Sequence, residues 1–96
     1  MSIKPEIIAA IRNHADHGQP CGHFVTAVLC NDLKESIGRA DDENLRDLIE
    51  IVQYCWNEIP SGCWGSPDAV RTWIRDKESQ RGIAKGIKEI LDKFHN

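Results

Sequence analysis

Apolar positions along this chain recur three and four residues apart over most of its length, which is helical spacing. Pro5 suits the first position of a helix, and Ile7, Ile8 and Ile11 give that helix one apolar face. It is expected to end near His14 or Ala15, ahead of the breaker run Asp16-His17-Gly18-Gln19-Pro20. A second helix is predicted from about His23 to Ile37. Val25, Leu29, Leu33 and Ile37 are spaced by four, and Phe24, Ala27 and Val28 widen the stripe to that of a central helix. Gly38 then stands where a left-handed C-cap is expected.

The third helix has the cleanest pattern. Leu45, Leu48, Ile49, Val52, Cys55, Trp56 and Ile59 fall at spacings of three and four, with Asp41 or Asp42 as cap and Pro60 as stop. After the loop Pro60-Ser61-Gly62-Cys63-Trp64-Gly65, the run Ser66-Pro67-Asp68 supplies a capping hydroxyl, a proline and a first-turn acid. The fourth helix carries Val70, Trp73 and Ile74. Its register is lost through Arg75 to Gly82, and a last helix resumes with Ile83, Ile87, Ile90, Leu91 and Phe94. No window alternates in the manner of a strand. The fold class expected is therefore all-α: a single compact bundle of four to five helices with no sheet, spanning residues 1–96 as one domain.

Composition narrows the setting. At 96 residues the chain can bury one modest core, and 41% hydrophobic content excludes a disordered chain. No apolar run is long enough to span a bilayer, and Met1 to Glu6 lack a secretory apolar stretch, so a cytoplasmic location and reduced cysteines are expected. The net charge of −3 is uneven. Residues 41–58 carry six acids against Arg46 alone, a net of −5, while residues 71–96 carry seven bases against four acids, a net of +3. That basic excess is too mild and mixed for direct nucleic-acid binding, but it suits attraction between an acidic and a basic helix, within one chain or across a dimer.

Candidate chemistry is sparse. Cys21 and His23 lack the context that activates a thiol, so no catalytic residue is assigned and the chain is not read as an enzyme. Cys21, His23 and Cys63, with His14 or His17, would form a zinc set only if two loops met. Structural zinc sites use ligand pairs at short fixed spacing, and a second pair is missing, so neither metal nor cofactor is expected. Cys30 and Cys55 read as small core residues, and so do Trp56 and Trp73. The candidate ligand-binding set is Asn31, Arg39, Asn57, Trp64, Gly65, Ser66 and Arg71. Trp64 beside Gly65 is either a ligand platform or a plug for the bundle end. Ser66 opens a helix N-terminus that attracts anions, opposed by Asp68 and helped by Arg71. Asn31, Asp32, Arg39 and Asn57 read as a polar latch between helices two and three, or as the lining of a polar pocket.

Ala27-Val28-Leu29-Cys30-Asn31-Asp32-Leu33, Arg39-Ala40-Asp41, Tyr54 to Pro60 and Trp64-Gly65-Ser66 together resemble motifs of small helical proteins from phages and prophages, over roughly residues 20–74. That resemblance implies an anti-defence role in the host cytoplasm. One form is a homo-oligomeric sponge for a nucleotide immune signal, with Trp64 stacking on a base, Arg39, Arg71 and Arg75 meeting phosphate, and Asn31 and Asn57 reading base edges. The other is an inhibitor that binds a host defence protein, CRISPR effectors included. A structural or regulatory helical protein is the remaining expectation.

Overall fold

The computed structural model describes the backbone of residues 3–93 and the side chains of residues 3–82. The elements are α1 (Pro5–His17), α2 (His23–Leu29), α3 (Leu33–Arg39), α4 (Asp42–Arg46), α5 (Leu48–Glu58), a 3₁₀ turn at Ser61–Cys63, and α6 (Pro67–Lys93). The fold is an all-α bundle with no strand among the described residues. None of its described helices is long and apolar enough to cross a membrane.

α1 runs two residues past its expected end, through Asp16 and His17 to the Gly18 cap, and helix boundaries depart further from the expected ones in three places. The first is Asn31, which adopts φ 60° and divides the expected second helix into α2 and α3. The amide of Asp32 donates to the Ala27 carbonyl at 2.9 Å, and that of Asn31 to the Val28 carbonyl at 3.0 Å. These two bonds form a Schellman motif, with asparagine in the left-handed position usually taken by glycine. Asp32 then caps the next helix, its carboxylate accepting from the Glu35 amide at 3.1 Å. Gly38 is an ordinary helical residue of α3, and that helix ends instead at Ala40 in extended conformation.

The second departure is a joint at Asp47, which separates α4 from α5. Bonds from the Asp47 amide to Glu43 and from the Ile51 amide to Asp47 keep the helical register across it. Asp41 caps α4 through the Asn44 amide at 2.8 Å. The Lys4 ammonium pairs with Asp41 and holds its carboxyl below the usual range. The third departure is α6, unbroken through Arg75–Gly82. Lys77, Glu78, Gln80 and Arg81 are good helix formers, and Gly82 costs only about 1 kcal/mol against alanine. Its 27 residues give a length of about 40 Å, and Glu78 to Gly82 are exposed, so α6 runs beyond the bundle body. The side chains of the expected stripe at 83, 87, 90 and 91, and all of Phe94, lie outside the described residues.

The core joins Ile7, Ile11 and Ala15 of α1, Phe24, Val25, Val28 and Leu29 of α2, Ile51, Cys55 and Ile59 from the α5 segment, and Cys63 and Val70. α2 is central, as its broad stripe requires. Carbonyls at the helix ends are met by side chains from elsewhere in the chain. Trp73 Nε1 donates to His14 O at 3.0 Å and Ala15 O at 3.1 Å, the Arg81 guanidinium reaches His17 O, and Arg12 reaches Glu58 O at 2.9 Å. Gly18 closes α1 at φ 67°, and a Cβ there would stand 2.6 Å from Lys77 Cβ, so α6 passes too close for any larger residue.

The joint at Asn31 gives the first prediction. Asn31→Gly is expected to leave stability within about 0.5 kcal/mol, whereas Asn31→Val, forced to positive φ, lowers it by about 1–2 kcal/mol. Urea unfolding followed by circular dichroism measures both; equal stability of the two variants would contradict a left-handed joint.

Candidate functional site

α5 has two apolar faces, and only one is in the core. Ile51 and Cys55 point inward, and Ile59 follows them just past the helix end. Leu45, Ile49, Val52 and Trp56, spaced by four, three and four, form a second stripe that stays in solvent. Ile49 is 74% exposed and Trp56 79% exposed. The expectation that Trp56 is a core residue is therefore corrected. Its stripe is real, but Ile51, Cys55 and Ile59 already fill the inward side of the helix.

α3 borders this surface, its Leu33 lining one small cavity with Val52. Only Ser36 of α3 is buried, while Leu33 and Ile37 are 66% and 49% exposed. The even spacing Val25-Leu29-Leu33-Ile37 is thus split by the joint at Asn31. Its first half lies in the core and its second half is turned outward. Exposed apolar side chains scattered singly need no explanation, but several on adjoining elements mark an interaction surface.

Beside the stripe lies an open cleft of about 590 Å³. Val52, Trp56 and Ile59 form its α5 side, and Ser61, Trp64 and Gly65 form its loop side, with Asn31 at the joint. Backbone bonds fix the loop. The Gly65 amide donates to the Leu29 carbonyl at 2.7 Å, which ties the loop to the end of α2, and Gly65 has φ 110°, a conformation suited to glycine. The Cys63 thiol donates to Pro60 O at 3.1 Å. His14, fully buried on α1, donates from Nε2 to Cys63 O at 2.7 Å, and its Nδ1 has no hydrogen-bond partner among the described residues. Trp64 is half-buried; it packs on the core and also lines the cleft. Both expectations for it, plug and platform, describe part of its surface.

Of the seven candidate binding residues, Asn31, Trp64 and Gly65 meet in this cleft. The others do not. Ser66 caps α6, accepting from the Ala69 amide at 3.0 Å. Arg39 pairs with Glu35 at 3.1 Å on the surface of α3. Arg71 pairs with Asp68 and lines the outer surface of α6 and a separate cavity of about 260 Å³ near Cys21 and Cys30. Asn57 is exposed and outside the cleft lining. No hydrogen bond joins Asn31, Asp32, Arg39 and Asn57, so the expected latch is absent; Asp32 and Arg39 are engaged within α3. Val52, Trp56, Ile59 and Ser61 are the cleft residues that sequence reasoning left out of the site. The signal for Trp56 was present in an α5 stripe wider than one buried face requires.

Among the described residues no Lys or Arg lines the cleft, and those that do offer one side-chain amide and one hydroxyl among apolar and aromatic groups. Among the described residues no three His, Cys, Asp or Glu side chains are grouped to hold a metal ion. The thiols are not activated. Burial pushes Cys21 up to about 11 and Cys55 up to about 12, and raises Cys30 and Cys63 as well. They remain neutral thiols near neutral pH, which is the unreactive form. Compared with family models, curated proteins and solved structures, the chain matches none.

Two predictions follow from this geometry. Ile51→Ala removes core contacts and should cost about 2–5 kcal/mol in denaturant unfolding, while Ile49→Ala, two residues away on the solvent side, should change stability by no more than about 0.5 kcal/mol. A thiol reagent near neutral pH is expected to label Cys21, Cys55 and Cys63 slowly in the folded protein and at once after unfolding; prompt labelling of folded Cys21 would contradict its burial.

Proposed function

We propose that this chain is a non-enzymatic interaction protein that binds another protein through the outward face of α3–α5 and the adjoining cleft. Trp56 is the observation that carries the reading. A tryptophan 79% exposed, set in an apolar stripe at the edge of a cleft, has no structural use in the monomer. Interface centres favour this composition: aromatic anchors, few charges, and a recess that receives a partner's side chain. Together with the resemblance to phage proteins, it supports the role of an inhibitor that covers a host defence protein.

A nucleotide ligand is the second reading, favoured by the two tryptophans and the Asn31 amide that border one cleft. Its phosphates would need cations, and Arg39 and Arg71 are paired with Glu35 and Asp68 outside that cleft. The protein-binding reading is stronger for that reason.

Affinity capture from host lysate, followed by mass spectrometry, tests it. The wild-type protein is expected to retain a discrete host protein, with affinity reduced ~30-fold or more by Trp56→Ala and circular dichroism unchanged. Capture that is indifferent to Trp56→Ala would refute the assignment of this face. Calorimetric titration with cyclic nucleotides and ADP-ribose derivatives separates the readings: no heat is expected, and saturable heat lost on Trp64→Ala would establish the nucleotide reading instead.

A further inference from the structure

A cavity of about 260 Å³ lies between α1, α2 and the first turns of α6, and it shares no lining residue with the cleft. Leu29, Val70 and Ile74 give it apolar walls, and the Cys21 and Cys30 thiols add polarizable ones. The indole of Trp73, bonded to His14 O and Ala15 O, pins α6 to the end of α1 and so fixes two of these walls.

Besides the thiols, three polar side chains line the cavity, and two are committed elsewhere. The Thr26 hydroxyl donates to Cys21 O at 3.1 Å, and Arg71 pairs with Asp68. His14 is the exception. It is fully buried, its Nε2 donates to Cys63 O at 2.7 Å, and its Nδ1 has no partner among the described residues. Cys63 is not part of the lining, so Nδ1 is the polar edge that the ring has left for the cavity. A carbonyl only accepts, so Nε2 carries a hydrogen, and Nδ1 of the neutral ring is an acceptor. Buried polar groups are nearly always paired, so this acceptor calls for a donor.

The lining specifies what that donor belongs to. Apolar walls around one fixed polar group are the make-up of a small-molecule site. A cavity of about 150 Å³ holds a benzene ring, so this one has room for a ring with a substituent. The guanidinium of Arg71 is exposed and already paired, which leaves no cation set aside for an anionic ligand. Among the described residues no acid lines the cavity to receive a cationic one. We infer that this cavity binds a small neutral phenol, its ring between Leu29, Val70 and Ile74 and its hydroxyl donating to His14 Nδ1. The site goes beyond the protein-docking reading and does not depend on it, because Trp56 and the outward face of α3–α5 take no part. It is nevertheless linked to the tryptophan loop: a hydrogen bond accepted at Nδ1 polarises the ring and strengthens the bond from Nε2 to Cys63 O.

Titration of the full chain with p-cresol, followed by amide and imidazole NMR, tests this, with toluene as the same ring lacking the hydroxyl. p-Cresol is expected to give saturable shifts at His14, Cys30, Val70 and Ile74, and to move the His14 Nδ1 resonance upfield as that atom accepts a hydrogen bond. It is expected to bind at least about tenfold more tightly than toluene. Cys30→Phe fills the cavity and is expected to abolish both titrations with circular dichroism unchanged. His14→Phe keeps a ring but removes the acceptor, so the preference for p-cresol over toluene is expected to vanish. Should either variant lose helix content, the wild-type comparison of p-cresol with toluene and the Nδ1 shift decide alone.

Absence of a saturable shift with p-cresol, as when water alone meets His14, overturns the proposal. So does equal affinity for toluene, which would mark an apolar void, and so do shifts confined to Trp56 and Trp64, which would place the phenol in the cleft. Capture of a host protein through Trp56 is measured separately, so these failures are distinguishable from failure of that reading.

Discussion

The fold turns on one left-handed residue. Asn31 ends α2, and the Asp32 cap starts α3 immediately, so two helices meet with no linker. This sharp joint has three consequences. It places Leu29 in the core and Leu33 in solvent although they are spaced as one stripe. It leaves the Leu29 carbonyl, an orphan at a helix end, free to accept the Gly65 amide, which fixes the tryptophan loop. It also brings Asn31 itself to the edge of the cleft. The asparagine that shapes the backbone is thus also a surface residue of the candidate site.

Helix-end chemistry accounts for much of the remaining tertiary order. α1 is closed by Trp73 and Arg81 of α6, and α5 by Arg12 of α1. Each bond joins parts of the chain more than forty residues apart; the Ala15, His17 and Glu58 carbonyls gain a partner, and His14 O, already bonded to the Gly18 amide, gains a second. His14 adds the same kind of link between α1 and the loop. A core this small gains definition from such directional contacts as well as from apolar packing.

The all-α class and most helix starts were legible in the sequence because they are local. Pro5, the Ser66-Pro67 cap and the Pro60 stop each act within one turn, and the broad stripe of α2 did identify the buried central helix. What escaped was non-local. Asn31 reads as a poor helix residue, but only the structure shows that it rotates the chain after it. The α5 stripe could not be divided into inner and outer faces without knowing that Ile51, Cys55 and Ile59 fill the available core. Arg39 and Arg71 looked available for an anion because nearby acids in sequence do not announce which pairs form. Gly82 within a polar run read as a break, yet the surrounding good helix formers carry α6 through it.

The two faces of α5 answer to different constraints. Substitutions along Ile51, Cys55 and Ile59 are constrained by close packing on every side, whereas those along Leu45, Ile49, Val52 and Trp56 meet only water in the monomer. The outer residues can therefore change identity, even drastically, at little cost to the native state. Such a surface can pass through successive substitutions without first accumulating stability elsewhere. A protein of 96 residues has little stability in reserve, and the solvent-facing stripe is where its side chains can change with least effect on that reserve.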